Sequence, residues 1–142
     1  MAATADERLE TALRARGHRV TSQRLVLHRV LDELGRHASA EEIARASAER
    51  LPGLSLPTVY ATLQLFEGLG LVRRVDVGGP AALFDSRPDP HAHFACRVCG
   101  AVTDLDAGAD PGPAEAAARA AGAEPEHVDV VVRGVCAGCR MG

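Results

Sequence analysis

The 142 residues are enough for one ordinary domain or two small ones. No apolar stretch approaches the ~20 residues needed to cross a bilayer. The charged start, Met1 to Arg16, also lacks the apolar core of a secretory signal, so a cytoplasmic chain with no membrane partner is expected. The net charge of −3 hides an asymmetry. From Arg8 to Arg29 the chain carries Arg8, Arg14, Arg16, Arg19, Arg24 and Arg29 against the single acid Glu10, a patch of about +5, whereas the part beyond Arg87 is acidic. Such a run is more often a solvated helix face than a binding surface, so its meaning depends on the elements around it. Aromatic residues are limited to Tyr60, Phe66, Phe84 and Phe94. The core must come from Leu, Val and Ala, and small cores of that kind usually need a metal or a partner subunit.

Residues 5–16 read as a short helix with Leu9, Ala12 and Leu13 on one face, ended by Gly17. Thr21 is a good N-cap for a second helix over 22–35, where Leu27, Val30, Leu31 and Leu34 recur at i, i+3, i+4 and i+7 and Gly35 closes the run. Ser39-Ala40-Glu41-Glu42 forms a capping box that opens a third helix over about 40–50, with Ile43 and Ala46 turned inward. After Pro52-Gly53, Ser55-Leu56-Pro57 starts a fourth helix over about 57–69 that buries Val59, Leu63 and Phe66 and ends at Gly70. Leu71–Val75 and Ala81–Asp85 are extended runs joined by Gly78-Gly79-Pro80, a β-hairpin. Helices two to four followed by this hairpin give the winged helix-turn-helix pattern over 1–85. Any small helical bundle with a hairpin would look alike. The arginines on the leading elements tip the reading toward DNA, with the fourth helix in the major groove and Arg73 or Arg74 reaching phosphate.

Residues 86–90, Ser-Arg-Pro-Asp-Pro, read as a stiff linker, and 91–142 as a second, smaller domain. Short strands are expected over 92–97 and 101–105, then a Gly/Pro-rich loop from Asp106 to Pro113, an Ala-rich helix over 114–121 and a β run over Val128–Val132. All four cysteines lie in two Cys-x-x-Cys pairs, Cys96/Cys99 and Cys136/Cys139, and together they can give one Zn2+ four thiolates. Two disulfides or unliganded thiols are the alternatives, and a reducing cytoplasm weighs against the first. His91 and His93 alternate along a strand and so share a face. With nearby carboxylates they can hold a second, harder ion such as iron, manganese or zinc. So small a half needs zinc and a second copy of the chain to be stable, so a homodimer and a roughly palindromic operator are expected. The whole is an α+β chain.

The chain resembles the ferric uptake regulator (Fur) superfamily over nearly its full length. The match rests on Gly17-His18-Arg19-Val20-Thr21-Ser22-Gln23-Arg24, His37-Ala38-Ser39-Ala40-Glu41-Glu42-Ile43 and Leu56-Pro57-Thr58-Val59-Tyr60-Ala61-Thr62-Leu63. It continues through His91-Ala92-His93-Phe94-Ala95-Cys96-Arg97-Val98-Cys99-Gly100 and Gly134-Val135-Cys136-Ala137-Gly138-Cys139. The resemblance implies an N-terminal winged-helix DNA-binding domain and a C-terminal α/β dimerisation domain. It also implies a structural zinc on Cys96, Cys99, Cys136 and Cys139. A regulatory Fe2+ or Mn2+ at the hinge would be held by His37, Asp85, His91, His93 and Asp104. DNA contacts are expected from Arg19, Arg24, Thr58, Tyr60, Gln64 and Arg73. His18, His28 and His127 are left as structural or surface residues.

Aspartate at position 85, with three histidines and a second aspartate, is most similar to the peroxide-responsive PerR branch. That likeness implies a repressor that senses hydrogen peroxide through iron-catalysed oxidation of His37 or His91. The same architecture answering to iron or manganese availability is the alternative. Zinc sensing is disfavoured because no fifth cysteine softens the sensory site. Pro90 and Ala92 stand where some relatives build a further metal site, so one regulatory site is expected. Ala61 stands where many relatives place arginine or asparagine, which leaves base readout to Tyr60, Thr58 and Gln64. A small non-haem iron enzyme is a more distant reading. No pocket for an organic substrate is expected in so short a chain, and an enzyme would leave the arginine patch unexplained.

Overall fold

The computed structural model describes residues 2–35, 37–78, 81–86, 92–105 and 110–142. The chain divides into two compact units, Met1–Pro88 and Asp89–Gly142.

In the first unit, helix α1 (Ala5–Ala15) starts at a full capping box. Thr4 Oγ1 accepts from the Glu7 N–H at 3.1 Å and the Glu7 carboxylate accepts from the Thr4 N–H at 2.7 Å, which holds the Glu7 carboxyl below its usual range. Helix α2 (Ser22–Leu34) is capped by Thr21 and closed by Gly35, whose φ of 57° suits glycine. It buries Leu27, Val30 and Leu31 against Leu9 and Leu13 of α1. Helix α3 (Ala40–Ser47) is shorter than the expected 40–50, and its inward face differs. Ala46 is exposed, and Ala40, Ile43 and Ser47 are buried instead. Ser47 tolerates burial because its hydroxyl donates to the Ile43 carbonyl at 2.7 Å. Helix α4 (Leu56–Gly68), capped by Ser55 with Pro57 in its first turn, buries Val59, Thr62, Leu63 and Phe66.

The wing has three strands rather than the two expected. Strand β1 (Ala38–Ser39) pairs antiparallel with β3 (Leu83–Asp85), which pairs antiparallel with β2 (Arg73–Val75), in the order β1-β3-β2. Of the expected turn, Gly79 and Pro80 lie outside the described residues.

His28 is inside this unit rather than on its surface. Its ring stands edge-on to Phe66, centroids 5.5 Å apart at 87°, and Nδ1 has no hydrogen-bond partner among the described residues. Burial pushes its pKa down. Arg8 pushes the same way, against the opposing pull of Asp32 and Asp6. An unfolded histidine titrates near ~6.5, so a folded ring that resists the proton favours the native state fully above that pH. The contribution is lost as pH falls below ~6.5 and the unfolded chain takes the proton. We expect the urea midpoint of this unit to drop between pH 7.5 and 5.5. Tyr60, the sole tyrosine in a chain with no tryptophan, reports the transition. The drop should be smaller in His28→Leu; an equal drop in both would show that His28 does not titrate on unfolding.

The second unit is built on β4 (Ala92–Cys96), antiparallel to β5 (Val102–Leu105) and parallel to β6 (Val131–Gly134), in the order β5-β4-β6. The β run expected over Val128–Val132 joins β4 late: the His93 N–H donates to the Val130 carbonyl at 3.0 Å and the register starts at Val131. A parallel pair needs a crossover, and helix α5 (Gly112–Ala120) lies on it. A last short helix, α6 (Ala137–Met141), follows Cys136 and was not expected. Neither α5 nor α6 buries a residue, and Ala92 and Cys96 are the only buried hydrophobic side chains among the described residues here. So little apolar burial leaves this unit dependent on something besides its core.

Candidate metal centres and nucleic-acid face

Cys96 ends β4, Cys99 sits in the turn that follows, Cys136 is the residue before α6 and Cys139 lies within α6. The turn is tied down by the Gly100 N–H donating to the Cys96 carbonyl at 3.0 Å and the Arg97 N–H donating to the Gly134 carbonyl at 2.8 Å. That second bond joins the two cysteine hooks. All four cysteines are free thiols, with ligand atoms within 4.8 Å of one another. Cys99 Sγ and Cys136 Sγ are 3.8 Å apart. Four sulfurs at the usual Zn–S length of ~2.3 Å have tetrahedron edges of about 3.8 Å, so the spacing fits zinc and not disulfides.

Electrostatics agree with that donor set. Backbone N–H groups of Cys99 and Cys136 point at Cys96 Sγ and lower its pKa to about 6. The sulfurs of Cys136 and Cys99 push Cys139 up to about 12. A cluster that readily carries one thiolate and resists more is one that a dication completes.

Each unit also carries a cross-strand pair of histidine and aspartate. In the first, the β1–β3 register matches Ala38 with Phe84 and so, one step on, sets His37 across from Asp85. His37 Nε2 is 3.2 Å from an Asp85 carboxylate oxygen, and both side chains are buried. On the other side of Asp85 the register places Arg73. In the second unit His93, on the central strand and 1% exposed, faces Asp104 across β4–β5, with Nε2 3.6 Å from Oδ1. His91 lies outside the described residues. His18 and His127 are exposed, the latter 3.6 Å from an Asp129 oxygen.

The arginine patch is partly neutralised within its own unit. Arg29 grips Asp6 through Nε at 3.0 Å to each oxygen, and Arg14 pairs with Glu10 at 3.2 Å. The Asp6 partner is 23 positions away from Arg29, beyond any local signal. Arg16 donates to the Gly68 carbonyl at 2.9 Å and Arg24 to the Arg19 carbonyl, bonds that position these side chains without cancelling their charge. Arg19 is exposed. On α4, Pro57, Tyr60, Ala61 and Gln64 are exposed, and Thr58 is half-buried with its hydroxyl on Ser55 Oγ at 2.8 Å. The Tyr60 hydroxyl donates to Glu41 at 3.4 Å, a partner the sequence did not reveal. In the wing, Arg73 is half-buried, and its exposed neighbour is Arg74.

A winged-helix unit followed by a small mixed sheet with clustered thiols and cross-strand His/Asp pairs defines a metalloprotein of the helix-turn-helix class. The chain belongs to the Ferric uptake regulator family, whose profile matches residues 15–133. Members of this family are metal-dependent transcriptional regulators rather than enzymes, which removes the iron-enzyme reading. The chain is 33% identical over 94 residues to the peroxide-responsive repressor PerR of Staphylococcus epidermidis, a stretch covering 66% of this chain and 63% of that one. It thus spans less than two-thirds of that relative's length. It is 35% identical over 120 residues to ferric uptake regulation protein 1 of Mycolicibacterium fortuitum, covering 84% and 74% of the two chains. Among solved structures, the Vibrio cholerae ferric uptake regulator superposes with a TM-score of 0.67 at 27% identity, over 90% of this chain and 99% of that one.

Proposed function

We propose that the chain is a homodimeric repressor whose hold on a palindromic duplex operator depends on one Fe2+ or Mn2+ shared by its two units, with Zn2+ on Cys96, Cys99, Cys136 and Cys139 as a fixed staple. The observation behind this is the repetition of one device: His37 across from Asp85 in the first unit, His93 across from Asp104 in the second. Neither pair fills a coordination sphere. Together with His91 they offer three imidazoles and two carboxylates, a set suited to Fe2+ or Mn2+. Taking donors from both units fixes their mutual angle, and binding energy then favours the one arrangement in which both α4 helices of a dimer meet successive major grooves.

The signal we propose is hydrogen peroxide. Fe2+ held by these residues would supply the redox chemistry that activates peroxide beside them, with peroxide itself the two-electron oxidant. His37 or His91 would take one oxygen, a ring C–H becoming C–OH while the second peroxide oxygen leaves as water. The altered ring is a poorer donor, the units separate and the operator is released. The aspartate at position 85 and the likeness to a repressor named peroxide-responsive support this. The likeness to ferric uptake regulation protein 1 supports the rival, a regulator of metal supply.

Mass spectrometry decides between them. After brief peroxide exposure the Fe2+-loaded protein should gain one oxygen atom on the peptide holding His37 or His91 and lose operator binding, whereas the Mn2+-loaded protein keeps both unchanged. Oxidation confined to cysteines, with operator binding retained, would leave only the metal-supply reading.

A further inference from the structure

Beside α4 lies a groove of about 410 Å3 whose lining includes two of the expected DNA contacts, Arg24 and Thr58. Its α4 side carries Pro57, Ala61 and Leu65, one apolar stripe at i, i+4 and i+8. Thr62 also lines it, but its hydroxyl is spent on the Thr58 carbonyl at 2.9 Å. The opposite wall is Gln23 and Arg24 from the first turn of α2. Arg24 gives one N–H to the Arg19 carbonyl, which fixes the side chain and leaves its charge intact. A shallow apolar floor with a cationic, hydrogen-bonding wall complements one feature of the major groove. Thymine there presents a C5-methyl next to its O4 acceptor, with backbone phosphates alongside. A long or polar side chain at position 61 would fill or wet that floor; alanine leaves it open and apolar.

We propose that Ala61, with Pro57, is a specificity-determining residue that receives the C5-methyl of a thymine in each operator half-site, while Arg24 anchors the neighbouring phosphate. The inference rests on the operator-binding reading above. It moves base readout at this point from hydrogen bonding to methyl contact.

The test begins with operators selected from a random duplex library by the zinc-containing, Mn2+-loaded dimer. Each thymine of a selected site is then replaced in turn by deoxyuridine, which removes the methyl alone. One position per half-site should weaken binding by about fourfold, the effect of one buried methyl-sized group. That penalty should fall to near unity in Ala61→Gly, and Ala61→Asn should lose the preference for thymine at that position and no other. A uridine penalty that persists in both variants, or no methyl-sensitive position at all, overturns the inference while operator binding stands. Failure to select any metal-dependent operator overturns both.

Discussion

His37→Ala should cost nearly all of the metal's effect on operator affinity, on the order of a hundredfold, and leave zinc content unchanged. Couplings between an effector and a second ligand run from about 5- to 150-fold. On the proposed shared-ion reading, an ion transmits that much only while it takes donors from both units. The sheet places His37 beside Asp85, since its backbone leads into β1 and its ring lies 3.2 Å from that carboxylate. The zinc cysteines are all in the other unit and should not feel the change. His93→Ala, a substitution in that other unit, should give the same loss. The double variant should be no worse than either single one, because a clamp released at one jaw cannot be released again. Fluorescence anisotropy of a labelled operator, with and without Mn2+, measures all three. Losses that add would mean that the two pairs hold separate ions, and normal induction in either variant would remove the shared site altogether.

Cys96→Ser should unfold the second unit and dissolve the dimer. Among the described residues that unit buries only Ala92 and Cys96 as apolar side chains, and its two helices bury nothing. Structural zinc in small domains contributes about 10–16 kcal/mol, as much as the whole stability of a typical domain. Cys96 is also the sulfur toward which the backbone N–H groups of both hooks converge, so no other thiol replaces it as the acidic member. The expected result is loss of zinc by chelator assay, loss of sheet signal in circular dichroism and a monomer in sedimentation, with the urea transition at Tyr60 in the first unit retained. A folded, dimeric, zinc-free variant would refute the staple.

Periodicity and punctuation carried most of the first unit. Leu27, Val30 and Leu31 could only face a core, and Thr21, Ser39 and Gly35 mark helix ends by chemistry that works locally. The cysteine quartet was equally legible, since thiol spacing needs no knowledge of the fold. Long-range pairing was not. Strand β1 has two residues, too few for any alternation, and exists because Ala38 and Ser39 meet Phe84 and Leu83. The parallel match of β6 with β4 starts at Val131, set by its partner rather than by its own apolar run. Small side chains misled as well: in α3 an alanine-rich stretch gave no sharp phase, and Ala46 fell outside while Ser47 fell inside. The charge count misjudged the arginine patch because Asp6 reaches Arg29 only in the folded unit. The His/Asp pairs came from resemblance; their common cross-strand construction is a property of the sheets.

Strand β1 joins three things with no slack between them. His37 leads into it, its second residue Ser39 caps α3 through the Glu42 N–H at 3.2 Å, and its partner strand ends in Asp85. Any pull on either side chain therefore arrives at once at the front of the helix-turn-helix and at the wing, with no loop to absorb it.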